Sequence, residues 1–175
     1  MTTSIVLDTE TTGLLLPKTA DIDKQPCIIE LAMAKFEDGK LIGEFSELID
    51  PEREFDPIIT KITGIKPEDL IGKPKLRQLL PKIEDFMAGV DVLYAHNAPF
   101  DKGMLENELE RCARTGFPWP PTTICTVQEF MHLKGRRLKL TQLYELKLNK
   151  ALQQSHRAMD DVMALAEILI AEGLV

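Results

Sequence analysis

Asp8 and Glu10 stand two residues apart, directly after the apolar run Ile5-Val6-Leu7. On a β-strand, residues i and i+2 point to the same face, so these two carboxylates are expected side by side. Neighbouring carboxylates repel, and each raises the other's cost of ionising. A hard divalent cation between them removes that cost, and all-oxygen ligation suits Mg2+ and Mn2+. A bare D-x-E is more often a solvated turn. Here the apolar residues before it and Thr11-Thr12-Gly13 after it describe a buried strand delivering acids to a sheet edge, where α/β active sites gather.

A second acid, Asp101, ends the segment Ala95-His96-Asn97-Ala98-Pro99-Phe100-Asp101, which follows an apolar run and opens a helix. An acid there also interacts favourably with the N–H groups of the first turn, and Pro99 is ordinary at a helix start, so spacing alone leaves Asp101 open. His96 reads as a packed or hydrogen-bonded histidine. Asn97 reads as a brace for the loop or as a residue that orients a carboxylate.

The third segment is Ser155-His156-Arg157-Ala158-Met159-Asp160-Asp161. At about 100° per residue, Ala158, Val162, Leu165, Ala166 and Leu169 form one apolar stripe. Asp161 lies on its flank and Asp160 on the opposite side, so Asp161 is expected to face the sheet and Asp160 the solvent. An acid beside a core stripe needs a partner. His156 precedes the regular helix; histidine titrates near neutral pH and suits a general base there, although a loop histidine needs no such role.

These residues must be carried by particular elements. Ser4–Leu7, Cys27–Phe36 and Leu41–Ile49 read as strands, with a D-G hairpin signal in Glu37-Asp38-Gly39-Lys40. Arg53–Gly72 reads as a short helix plus loops, and Lys75–Gly89 as an amphipathic helix with a glycine stop. Val90–Ala95 is a buried strand, Pro99–Thr115 a helix with Gly116 at its C′ position, and Thr122–Cys125 a last short strand. Thr126–Lys134, Leu140–Leu148 and Arg157 to Ala171 read as helices. An antiparallel start followed by alternating strands and helices predicts an α/β fold, a mixed five-stranded sheet flanked by helices in a ribonuclease H-like layout.

With 175 residues, 44% of them hydrophobic, the chain fits one domain. No apolar run approaches the ~20 residues of a membrane span. The start MTTSIVLDTE has no basic n-region, so no signal peptide is expected. Cys27, Cys112 and Cys125 have no metal-ligand spacing and read as reduced thiols of a cytoplasmic protein. A net charge of −7 argues against a surface that coats DNA. It leaves room for a site that grips one strand end, because clustered carboxylates lower the formal charge and bound cations restore it locally. The dense basic run is Lys134-Gly135-Arg136-Arg137-Leu138-Lys139, readable as a solvated loop or as a contact to phosphates upstream of a scissile bond.

Taken in order, Ile5–Gly13 (IVLDTETTG), Ala95–Asp101 (AHNAPFD) and His156–Asp161 (HRAMDD) resemble the three motifs of the DEDD superfamily of 3′–5′ exonucleases, in its histidine-bearing, DnaQ-like branch. The histidine-to-aspartate spacing of the third motif selects Asp161, in agreement with the helix-face reading. Ile28-Ile29-Glu30-Leu31 and Ile62-Thr63-Gly64-Ile65 are smaller matches. The Leu14 to Pro26 loop and Cys125, where many relatives carry Asp, depart from the pattern.

The resemblance implies a single exonuclease domain over residues 1–175 that hydrolyses phosphodiester bonds with two divalent metal ions, Mg2+ or Mn2+. Its metal ligands would be Asp8, Glu10, Asp101 and Asp161, with Asp8 shared by both ions and His156 as the base. The expected substrate is a single-stranded or frayed 3′ end of DNA, with RNA as the alternative, and a DNA polymerase is the candidate protein partner. For the terminal nucleotide, the resemblance offers Thr11, Thr12 and Gly13 to the sugar, Leu14 and Phe100 to the base, and Glu30 and Asn97 as contacts or braces.

Overall fold

A computed structural model describes residues 2–175. Five strands, β1 (Thr3–Thr11), β2 (Ile28–Glu37), β3 (Lys40–Leu48), β4 (Val92–Ala95) and β5 (Thr122–Cys125), form one sheet in the order β3-β2-β1-β4-β5. β1 pairs antiparallel with β2, and β2 with β3 through the expected hairpin. β4 runs parallel to β1, and β5 parallel to β4. The helices are α1 (Pro57–Thr63), α2 (Pro67–Leu70), α3 (Leu76–Met87), α4 (Ala98–Arg111), α5 (Thr126–Glu129), α6 (Leu140–Leu148) and α7 (Ala158–Ala171).

The alternation of β1 divides the core in two. Ile5 and Leu7 point into a cluster with Leu79, Ile83 and Met87 of α3 and Met104 and Leu105 of α4. Val6 points the other way, into a cluster with Ala32, Ala34, Phe36 and Tyr94, closed by Leu143 of α6 and Val162, Leu165 and Leu169 of α7. The central strands are therefore buried on both faces, which is why they read as nearly continuous apolar runs.

Several boundaries differ from the sequence reading. β1 continues through Asp8 and Glu10 to Thr11, because these polar residues still pair with Ala32, Glu30 and Ile28 of β2. β4 begins at Val92 rather than Val90, and α7 begins at Ala158 rather than Arg157. α4 stops at Arg111. Ala113 (φ +49°) takes the left-handed position that follows it, three residues before Gly116 (itself φ +72°), and Arg114 N–H donates back to the Leu109 carbonyl. The segment expected as one helix over Thr126–Lys134 is α5 followed by a single 3-10 turn at Met131–Leu133. No described helix is long and apolar enough to cross a membrane, and all three cysteines are free thiols.

The Leu14–Pro26 loop is tied down along its length. Gln25 accepts from Leu16 N–H and donates to the carbonyls of Leu16 and Pro17. Arg111 donates to the carbonyls of Ile22, Gln25 and Pro26, and Arg53 to those of Asp23 and Gln25. Leu15 packs onto α4 where Gly103 leaves room; a Cβ on Gly103 would fall 2.8 Å from Leu15 Cδ1. Glu108, ion-paired with Arg111 at 2.7 Å, also accepts from Ile28 N–H. One helix, α4, thus fixes both its own N-terminus and the loop that follows β1.

Candidate active site

Asp8 and Glu10 lie on the same face of β1 as Val6, the face covered by α7. Asp161, in the first turn of α7, reaches toward them and is buried, while Asp160 is exposed. One carboxylate oxygen from each of Asp8, Glu10 and Asp161 can be chosen so that all lie within 4.8 Å of one another. Asp101 stands outside this triplet. It comes from α4 on the opposite face, over the end of the sheet, and its Oδ1 accepts from Thr9 N–H (3.1 Å) and Thr9 Oγ1 (2.7 Å). The alternation of β1 accounts for both contacts: Asp8 and Glu10 meet α7, and Thr9 between them meets α4.

The electrostatics are those of crowded acids. Burial, and then Asp101, Glu10 and Asp161 in that order, hold the Asp8 carboxyl well above the ordinary carboxylate range. Glu10 is pushed up to about 8 by burial, Asp161, Glu30 and Asp101, against a weak opposing pull from Arg157. Burial pushes Asp101 up to about 7 despite its bonds from Thr9. Asp161 is raised by burial and held back by a 2.7 Å hydrogen bond from Gln154 Nε2. Arg157, the guanidinium that pulls on Glu10, is already engaged: it binds both oxygens of Glu30 through Nε (3.1 Å each) and Oε1 through Nη2 (2.7 Å). Four acids of raised proton affinity, none ion-paired among the described residues, are the donor set that a hard divalent ion fits.

These shifts predict how the metal-free protein responds to pH. Glu10 and Asp101 bind protons more tightly folded, at about 8 and about 7, than their ordinary values of 4.5 and 3.8. Their stabilising contribution is therefore complete below about pH 4 and is lost as pH rises through about 8. In EDTA, Tm should fall by at least about 5 °C across that window. Saturating Mn2+ should raise Tm most at the alkaline end. A metal-free Tm that rises between pH 5 and 8 would contradict this placement of the acids.

Of the remaining residues singled out by sequence, Glu30 is buried, and its Oε2 also accepts from Ala158 N–H (3.0 Å), so it braces the start of α7. His156 precedes that brace, exposed and left-handed at φ +53°. Asn97 is left-handed too (φ +81°), and its Oδ1 accepts from Arg137 (2.9 Å). His96 is held between Thr126 Oγ1 and the Leu138 carbonyl, which docks the basic run beside the start of α4. Thr11 Oγ1 donates to the Gly13 carbonyl, and Thr12 Oγ1 accepts from Cys27 N–H. Leu14 is 81% exposed at the start of the loop, and Phe100 is half-buried against the α3–α4 core. Sequence reasoning missed Gln154 and Arg157. Arg157 carried a signal, a cation directly before the buried acid-bearing turn, but its partner lies 127 positions away.

Known proteins resemble this chain over nearly its whole length. The family described as Exonuclease (RNase_T) matches residues 5–169. A Mycobacterium tuberculosis protein named as a bifunctional exonuclease/endonuclease is 35% identical over 97% of this chain and 26% of its own length. A PolC-type DNA polymerase III of Clostridium perfringens is 33% identical over 94% of this chain and 11% of its own. The DNA polymerase III subunit epsilon of Treponema pallidum is 33% identical over 92% of this chain and 72% of its own. The chain thus spans about a quarter of the first relative and about a ninth of the second. Among solved structures, exonuclease X in complex with 5′-overhanging duplex DNA superposes with a TM-score of 0.70 at 26% identity, covering 95% of this chain and 89% of that one. The nuclease domain of 3′hExo, described as a DEDDh family member bound to rAMP, superposes at 0.77 over 96% and 90% with 17% identity and shares the fold.

Proposed function

We propose, on the premise that this chain belongs to the RNase_T exonuclease family, that it removes nucleoside 5′-monophosphates one at a time from the 3′ end of DNA. The observation that carries this reading is the convergence of Asp8 and Glu10 from β1 with Asp161 from α7, with Asp101 at their flank. The whole described fold acts as one exonuclease domain: Asp8, Glu10 and Asp161 meet on one face of its sheet, and Asp101 reaches their flank from the other. The DNA substrate is supported by the exonuclease X complex and by the DNA polymerase relatives. The latter also support work alongside a DNA polymerase.

In the reaction, Asp8, Glu10, Asp161 and Asp101 hold two divalent cations, Mg2+ or Mn2+. When bound, these supply the positive charge that a phosphodiester transition state needs. Thr11, Thr12, Gly13, Leu14 and Phe100 hold the terminal nucleotide, and the anchored loop keeps Leu14 in place. His156 takes the proton of a water whose oxygen attacks the last phosphorus. The bond from that phosphorus to the 3′ oxygen of the preceding nucleotide breaks, leaving a shortened strand with a 3′ hydroxyl. Glu30 and Arg157 keep the first turn of α7, and so Asp161, aimed at β1.

The test is a gel of 5′-labelled and 3′-labelled DNA and RNA strands with Mg2+, Mn2+ or EDTA. The expected result is a descending ladder from the 5′ label, immediate release of the 3′ label as a mononucleotide, faster cleavage of DNA, and none in EDTA. Early release of the 5′ label, or internal cuts, would overturn the polarity. Faster cleavage of RNA would overturn the choice of sugar.

A further inference from the structure

Thr9 stands between Asp8 and Glu10 in sequence, but its side chain lies on the other face of β1. Strand alternation turns the two carboxylates toward Asp161 of α7 and Thr9 toward α4. Thr9 and Asp101 are both buried. The Thr9 hydroxyl donates to Asp101 Oδ1 at 2.7 Å, and the Thr9 N–H donates to the same oxygen at 3.1 Å. Two donors of one residue thus end on one oxygen of an acid 92 positions away.

The sheet explains why that N–H is available. β4 pairs with β1 along Ser4–Val6, while β1 continues against β2 to Thr11. Beyond Val6 the β1–β4 ladder ends, and Asp101, in the first turn of α4, supplies the acceptor that the ladder no longer gives Thr9. A buried N–H without an acceptor is costly, so Asp101 has a place in the fold as well as a charge. The same two bonds fix the acid. Rotation of a carboxylate about its last torsion is broad, and two donors on a single oxygen select one orientation. The 2.7 Å hydroxyl contact lies within the range for a hydrogen bond to an ionised carboxylate. Among the described residues, no donor from another residue bonds Asp101 Oδ2.

Resting on the exonuclease reading, we infer that Thr9 is a positioning residue of the metal site: it holds Asp101 by Oδ1 and leaves Oδ2 as the oxygen for a cation. Thr9 acts only through that acid. Because the carboxylate is oriented before an ion arrives, binding the ion does not carry the cost of ordering it. The effect is selective. Asp8, Glu10 and Asp161 meet without help from Thr9, so the cation they share is independent of its hydroxyl. The cation that Asp101 holds has fewer carboxylates, is the weaker of the two, and depends on Thr9.

The test compares Thr9→Val, which keeps the shape and the strand preference but removes the hydroxyl, with Thr9→Ser, which keeps the hydroxyl. Mn2+ binding is followed by electron paramagnetic resonance with thymidine 5′-monophosphate present. Cleavage of a single-stranded DNA oligonucleotide is measured across Mn2+ concentration. In Thr9→Val the weaker Mn2+ ion should lose about tenfold in affinity, while the tighter one stays within about twofold of wild type. The rate at low Mn2+ should fall with it and recover as Mn2+ is raised, at an unchanged oligonucleotide KM. Thr9→Ser should match wild type throughout. Should Thr9→Val melt below the assay temperature, Thr9→Cys, a weaker donor of similar size, carries the same comparison. Unchanged binding of both ions, a loss that Mn2+ does not recover, or an equal loss in Thr9→Ser would overturn the role of Thr9 and leave the nuclease intact. Wild-type protein that binds Mn2+ but cleaves neither DNA nor RNA would overturn the exonuclease reading and this inference with it.

Discussion

Asp8→Asn should lower mononucleotide release by at least about a thousandfold while raising the Tm of the metal-free protein. The two effects have one cause. Burial together with Asp101, Glu10 and Asp161 opposes the ionisation of Asp8. The neutral amide removes that repulsion at nearly constant shape, so the fold in EDTA gains stability at pH 8. The same change removes the carboxylate that faces both Asp101 and the Glu10–Asp161 pair. Electrostatic stabilisation by bound cations is worth several kcal/mol in a phosphoryl-transfer transition state, and each 1.36 kcal/mol is tenfold in rate. Calorimetry in EDTA and in Mn2+, with a 3′-label release assay, separates the two halves. Asp8→Asn with wild-type turnover would remove Asp8 from the mechanism. A lower metal-free Tm would mean that the carboxylate stabilises the fold.

That exchange between stability and activity explains which parts of the molecule could be read in advance. Asp8 and Glu10 were legible because strand alternation is a local rule, and Asp161 because a helix has a face. Both rules survived folding: the cluster is built from those two periodicities meeting across one sheet face. The end of β1 was harder to see, because polar residues score poorly as strand. Here the register with β2 holds Asp8 and Glu10 in extended conformation, opposite Ala32 and Glu30. Local propensity failed at the carboxylates proposed here to hold the metal ions, as is expected where a site is built.

What stayed hidden depends on partners distant in sequence. Nothing near Glu30 indicates that Arg157 and Ala158 N–H will take both its oxygens. Nothing in the Leu14–Pro26 loop indicates that Arg111 and Arg53 will hold its carbonyls. The same holds for the broken helix after β5. Leu138 must return to reach His96, and Arg137 to reach Asn97, so the chain cannot continue straight beyond Phe130. The chain is acidic overall, and its basic run is docked next to the helix that carries Asp101.

His156→Ala should lose about 10²–10⁴-fold in turnover, the usual contribution of a positioned general base, while its Tm response to Mn2+ stays at the wild-type value. Geometry separates the two readouts. His156 precedes the Glu30–Arg157 brace that fixes the first turn of α7, and Asp161 lies within that turn. Removing the imidazole therefore leaves the brace and the acids in place. The left-handed backbone at His156, φ +53°, costs a non-glycine residue roughly 1–2 kcal/mol, and such strain concentrates at functional positions. A base role makes a further demand that a merely structural role does not. The rate of His156→Ala should climb with pH, as hydroxide replaces the missing base, and added imidazole should restore part of the activity. An unchanged rate would assign proton removal to another group. A weakened Mn2+ response would instead place His156 among the residues that build the metal site.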